Sequence, residues 1–243
     1  QLFPRSEVLA LANECHSILE LDRHNFTLSP WYQHRIREKI TILQQSSAYL
    51  QLTESPRLQK LIEEIFCFSP QILKRKLVRV KLPNSPMNTG AHYDYNYVRR
   101  SSATVYTAWL PIDDIPANAG GITYLANSQL ITQDWEQQIR RQTLHLPMEA
   151  QQTPFQKVFD RHGWINKDLL SLAKRYNSRW LIGDFTAGDV LFHHPCLIHA
   201  AFMNSHSHRQ VCLSTDIRFQ SQTSIPDRHW QQFWQPFDEL NLI

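Results

Sequence analysis

Cysteine is scarce in this chain, and none of it is arranged as a pair: Cys15, Cys67, Cys196 and Cys212 are the only four, far apart and without a C-x-x-C spacing. That excludes a disulfide framework, and each thiol sits in an apolar segment where it packs as a small hydrophobe. No apolar run reaches the roughly 18 residues that would span a bilayer. The start, Gln1-Leu2-Phe3-Pro4-Arg5, lacks the basic and apolar regions of a signal peptide. A cytoplasmic, disulfide-free protein with no membrane partner is expected. Basic clusters are equally lacking: the formal charge of +3 comes from 25 basic and 22 acidic residues, and no basic stretch exceeds Lys74-Arg75-Lys76. Nucleic acid is therefore not the expected partner. Internal repeats and low-complexity tracts are also absent.

What is present is a core. With 243 residues, 42% hydrophobic and 19% charged, the chain suits one folded domain over 1–243. Val8, Leu11, Ala12, Cys15, Ile18 and Leu19 fall at helical spacing, with Ser6 as the expected N-cap. Ser29-Pro30 and Ser55-Pro56 open two further helices, the second containing Leu58, Leu61, Ile62 and Ile65. Residues 1–76 thus read as helical support. From residue 77 the texture changes. Leu77 to Leu82 alternates, Pro83, Asn84, Pro86 and Gly90 mark a turn-rich segment, and Thr104 to Leu110 is rich in β-formers. Gly120 to Leu125, Gly188 to Phe192 and Val211 to Phe219 add strands, while 133–178 reads as a helical insertion whose clearest helix is Asp168 to Tyr176. The expected architecture is a mainly antiparallel β core over 77–220 with helical support, followed by a C-terminal tail, 221–243.

His92-Tyr93-Asp94 is the first chemical feature. In extended backbone, residues two apart point to one side, so an imidazole and a carboxylate can meet one metal. At this His and Asp content about 0.6 such triplets arise by chance, and an isolated one is more often a turn than a ligand set. Two further residues change the balance. His199 lies in the apolar run Cys196 to Ala201. Arg209 shares strand parity with Val211, Leu213, Thr215, Ile217 and Phe219, so it is expected to point inward, and a buried guanidinium demands an anion. The polar link Asn204 to His208 lets the chain reverse between them. Two His and one carboxylate on one face of iron leave open positions for a chelating co-substrate and dioxygen, and an Arg can pair with the co-substrate's far carboxylate.

These segments resemble the phytanoyl-CoA dioxygenase-like family of iron(II)- and 2-oxoglutarate-dependent oxygenases. The matching order is His92-Tyr93-Asp94, then Thr107 to Asp114, Gly120-Gly121 with Leu125 to Ser128, Gly188-Asp189-Val190 before His199, and Arg209 ten residues after it. The resemblance implies a double-stranded β-helix (jelly-roll, cupin-like) core with iron held by His92, Asp94 and His199 at one mouth. It also implies that 2-oxoglutarate is held by Arg209 and that a small-molecule substrate is oxidised by O2, with succinate and CO2 released. Where the family has Pro-Gly-Ser-His, this chain has Leu125-Ala126-Asn127-Ser128-Gln129, which affects the substrate inference most. Asp94 is retained where related halogenases carry a small residue, which favours hydroxylation over chlorination.

Tyr106 and Thr104, on one face of an expected strand, are candidates to hydrogen-bond the co-substrate, though both are also ordinary strand formers. Arg79, entering the H-x-D turn, is a candidate for co-substrate or substrate. Tyr93, Tyr95 and Tyr97 flank the metal motif, either as a substrate entrance or as packing. His193 and His194 compete as metal ligands, but their spacing fits a strand end. Two alternatives stay open: a non-catalytic jelly-roll that binds a metal or ligand, and an oxygenase acting on nucleic acid. The expected substrate is a small molecule of specialised metabolism.

Overall fold

In the computed structural model of the chain, residues 1–21, 30–83, 89–99, 101, 104–143, 145, 163–205 and 211–236 are described. Four helices come first: α1 (Arg5–Ile18), α2 (Pro30–Leu43), α3 (Ser47–Thr53) and α4 (Pro56–Phe66). In α1, Val8, Leu11, Ala12 and Cys15 are buried, as their spacing requires. Its N-cap is Pro4, with no side-chain cap, rather than the expected Ser6. In α4 the Ser55 hydroxyl accepts from the Arg57 N–H, Pro56 opens the helix, and Leu58 and Ile62 are buried. α3, only seven residues long, is too short to show a helical period in sequence.

Among the described residues nine strands follow: β1 (Pro70–Ile72), β2 (Leu77–Lys81), β3 (Thr89–His92), β4 (Tyr106–Pro111), β5 (Ile122–Leu125), β6 (Trp180–Leu181), β7 (Leu191–His193), β8 (His199–Ala201) and β9 (Cys212–Ser221). All pairings are antiparallel. One sheet runs β1-β9-β4-β7 with β2 also on β9, and the other runs β3-β8-β5-β6. From β2 to β5, and again from β6 to β9, the chain crosses between the sheets at every step. That alternation makes the core a double-stranded β-helix. α5 (Tyr95–Val98) follows the H-x-D turn, while α6 (Ser128–Thr143) and α7 (Leu169–Arg175) occupy the described parts of the insertion.

β9 is buried along nine of its ten residues, which decides how the site is built. Leu213, Ile217 and Phe219 join the core formed with α1 to α4, and Thr215 meets the Tyr49 hydroxyl of α3 at 2.6 Å. The other face carries Ser214, Asp216 and Arg218 between the sheets. The apolar set with which Arg209 was grouped, Val211, Leu213, Ile217 and Phe219, packs toward the helices. Arg209 itself lies outside the described residues, as do Asn84 and Pro86. Past β9, Trp230 and Trp234 are buried, so the described part of the C-terminal segment packs on the fold. Among the described residues no helix is long and apolar enough to cross a membrane.

Candidate metal centre

The antiparallel register of β3 and β8 sets His92 directly opposite His199, with their ring centroids 4.2 Å apart. Asp94 joins them by a turn rather than by strand alternation. The backbone at Asp94 is already helical (φ −65°, ψ −28°), as the residue before α5. This corrects the extended-segment reasoning while keeping both side chains on one side. One ligand atom from each of His92, Asp94 and His199 lies within 4.8 Å of the others, and all three residues are buried.

The second ring nitrogens explain why these atoms face one another. His92 Nδ1 donates to the Gly90 carbonyl at 2.9 Å, and His199 Nδ1 donates to the Leu197 carbonyl at 3.0 Å. Each bond fixes the tautomer and leaves Nε2 with a free lone pair. His92 Nε2 is buried with no hydrogen-bond partner among the described residues, as a waiting ligand atom would be. Burial, then the neighbouring His199, holds the His92 imidazole well below its usual range. His199 is pushed down to about 4 by burial, against the pull of Asp94. Both rings are therefore neutral near pH 7, the form that binds metal.

Asp94 is the opposite case. Burial favours its neutral form, but the Arg218 charge and then the His193 hydrogen bond outweigh it, and the carboxyl stays well below the ordinary carboxylate range. Arg218 Nη2 donates to Oδ1 at 2.9 Å. The Thr107 hydroxyl donates to Oδ2 at 2.6 Å, and His193 Nε2 donates to Oδ2 at 3.3 Å. Oδ1 lies 3.8 Å from His199 Nε2. A neutral–anionic–neutral set of N, O and N donors on one side of a buried point suits a divalent transition metal with open positions.

A cavity of about 40 Å³ adjoins the triad, lined by His92, His199, Arg79, Lys81, Trp109 and Asp216 among others. Arg79 is thus brought to the site, its Nε and Nη2 both donating to Asp216 Oδ2 at 3.0 and 2.7 Å. Lys81 beside it is pushed down to about 8 by burial and then by Arg79. Gly120 also lines the cavity at φ 77°, where a Cβ would come within 2.5 Å of the Phe202 carbonyl oxygen.

Tyr106 and Thr104 do not reach this site. β4 begins at Tyr106, so Thr104 precedes the strand and is exposed. Alternation turns Thr107 and Trp109 inward, and Tyr106 instead stacks on Phe219 at 5.8 Å and meets Phe66 at 4.7 Å beneath α4. Sequence reasoning missed Arg218, Thr107 and Asp216. The signal for Arg218 was an Arg inside a clean β pattern, but the polar face of that pattern reads as solvent-facing unless the strand is known to be central. His193, weighed as a ligand, instead contacts Asp94 and accepts from the Tyr124 hydroxyl at 3.1 Å.

Comparison with known proteins agrees with this geometry. The family model described as phytanoyl-CoA dioxygenase matches residues 2–211. The chain belongs to the phytanoyl-CoA dioxygenase family. That family is one of iron(II)- and 2-oxoglutarate-dependent oxygenases, and the donor set above fits its metal. No curated protein matches the chain. Among solved structures, the epimerase SnoN in complex with Fe3+, alpha ketoglutarate and nogalamycin RO is 20% identical, covering 93% of this chain and 78% of that one with a TM-score of 0.59. SnoK, the alpha ketoglutarate-dependent carbocyclase from nogalamycin biosynthesis, is 17% identical, with coverage of 92% and 78% and a TM-score of 0.56. EvdO2 from Micromonospora carbonacea var. aurantiaca, complexed with 2-oxoglutarate, is 14% identical, with coverage of 96% and 90% and a TM-score of 0.55. At these identities the likeness establishes the shared fold.

Proposed function

We propose that the chain, acting as a single domain, is an iron(II)- and 2-oxoglutarate-dependent dioxygenase that hydroxylates an unactivated carbon of a small molecule. The observation that carries this reading is the convergence of three ligand atoms, from His92, Asp94 and His199, within 4.8 Å, deep in a double-stranded β-helix. When bound, iron with 2-oxoglutarate supplies the oxidising power, consuming O2 and releasing succinate and CO2. The protein's own work is positioning and exclusion of water. Asp94 is held ionised, and both His ligands are held neutral and oriented by backbone carbonyls. Arg209 is assigned the far carboxylate of 2-oxoglutarate, with Arg79 and Lys81 making the cavity wall electropositive. Trp109, Ile115 and Ile122 supply its apolar side.

Hydroxylation, rather than epimerisation or ring closure, is the proposed outcome, and retention of Asp94 leaves no space at the metal for a halide. The similarity to enzymes of nogalamycin biosynthesis supports a substrate from specialised metabolism. A solvated basic groove for nucleic acid finds little support. Arg75 and Lys76 are buried, Lys76 Nζ donates to Glu54 at 2.7 Å, and Arg99 is engaged with Glu136.

The test is anaerobic titration of metal-free protein with iron(II) and 2-oxoglutarate, following the weak visible charge-transfer band of the chelate. The parent should give the band, His199→Ala should lose it, and Arg209→Ala should need far more 2-oxoglutarate. A folded parent without the band would return the protein to the non-catalytic reading. Conversion of a substrate to an epimer or cyclised product without added oxygen would overturn the hydroxylase assignment alone.

A further inference from the structure

We propose that Arg218, backed by Trp230, is the positioning residue that holds Asp94 as a one-oxygen metal ligand; this rests on the metal reading above. Arg218 is fully buried, and its guanidinium carbon lies 4.5 Å from the centre of the Trp230 ring. Its hydrogen bond goes to Asp94 Oδ1 at 2.9 Å, and its Nε and Nη1 have no partner among the described residues. A guanidinium kept for packing would satisfy more of its five donors. Here the charge is compensated by one carboxylate and one aromatic face, so its position serves that carboxylate.

Asp94 is held from both ends. Thr107 and His193 occupy Oδ2, so that oxygen cannot swing into a two-oxygen grip on a metal. Oδ1, on the His199 side, takes one hydrogen bond from Arg218 and keeps a lone pair for the metal. Held this way, the carboxylate would offer a bound metal one oxygen and would leave other positions open for a chelating co-substrate and dioxygen. Through Trp230 the C-terminal segment also supports the metal site. Trp230 sits in the 3-10 turn Arg228–Gln231, and its carbonyl accepts from the Arg75 N–H at 3.2 Å.

Cobalt(II), a redox-stable probe of such a site, tests this. Its dissociation constant is measured by calorimetry and its ligand-field spectrum recorded for the parent, Arg218→Met, Arg218→Lys, Trp230→Leu and His199→Ala, with circular dichroism as the check on folding. Arg218→Met should weaken cobalt binding by roughly 10–100-fold and change the band shape. Arg218→Lys should recover most of the affinity, because an ammonium still donates to Oδ1, and Trp230→Leu should fall between. A folded Arg218→Met with parental affinity and spectrum would overturn the proposal, as would Arg218→Lys binding no better than Arg218→Met. If Arg218→Met does not fold, parental affinity and spectrum in both Arg218→Lys and Trp230→Leu overturn it. A parent that binds cobalt no better than His199→Ala would sink the metal triad itself, and this inference with it.

Discussion

Replacing Gly90 with Ala pits two effects of opposite sign against each other. Reducing the unfolded chain's conformational freedom would stabilise by about 0.4–1 kcal/mol. Against it, a Cβ at Gly90 would lie 2.7, 2.8 and 2.9 Å from three ring atoms of Trp164, where ordinary contact begins at 3.4 Å. Trp164 is poorly placed to retreat. The next residues bridge to β3, with Ile165 N donating to the Ala91 carbonyl at 2.7 Å and Ala91 N donating to the Asn166 carbonyl at 2.8 Å. Overpacking of this kind costs about 1–3 kcal/mol, so the net effect is a loss of about 1–2 kcal/mol. In a chain of this size that lowers Tm by about 2–8 °C. Urea denaturation followed by tryptophan fluorescence and circular dichroism measures it. Gly183→Ala is the control, because a Cβ there meets nothing within 4 Å and should be neutral or slightly stabilising. Metal affinity should fall with stability in Gly90→Ala, since β3 ends in His92. A Gly90→Ala protein as stable as Gly183→Ala would refute the tight packing of Trp164 on β3.

Asp94→Ala should abolish metal binding and also lower stability by about 3–5 kcal/mol, because it strands the buried Arg218; equilibrium unfolding of the metal-free protein reads this directly. Tyr106→Phe should leave the 2-oxoglutarate affinity of the iron-loaded protein unchanged, since its ring packs under α4; a tenfold loss would restore it to the site. Ser55→Ala should cost about 1 kcal/mol through loss of the α4 cap, measured by thermal unfolding. Of the four cysteines, only Cys67 is exposed, while burial first raises Cys15 to about 12 and Cys196 to about 11. A thiol reagent at pH 8 should therefore label one site in the native protein and four in denaturant, counted by mass spectrometry.

Much of the site and its scaffold was readable in the linear chain. The Ser-Pro start of α4, the apolar spacing of α1, the alternation of β2 and β9, and the three residues His92, Asp94 and His199 are all local signals. Hydrophobic period reports which side of an element is buried, and ligand chemistry restricts which side chains are worth pairing. What the chain alone determined was therefore the type of each long element and the identity of the metal-binding candidates. The tertiary structure decided what period does not encode. The short strands β1, β3, β6 and β8 exist through their pairing partners, and the register of β3 on β8 sets His92 opposite His199. In β9 both faces are buried, so alternation separated them without saying which meets the helices and which meets the metal site. Arg218 and Asp216 look like a solvent edge in sequence. They become interior because a second sheet covers them.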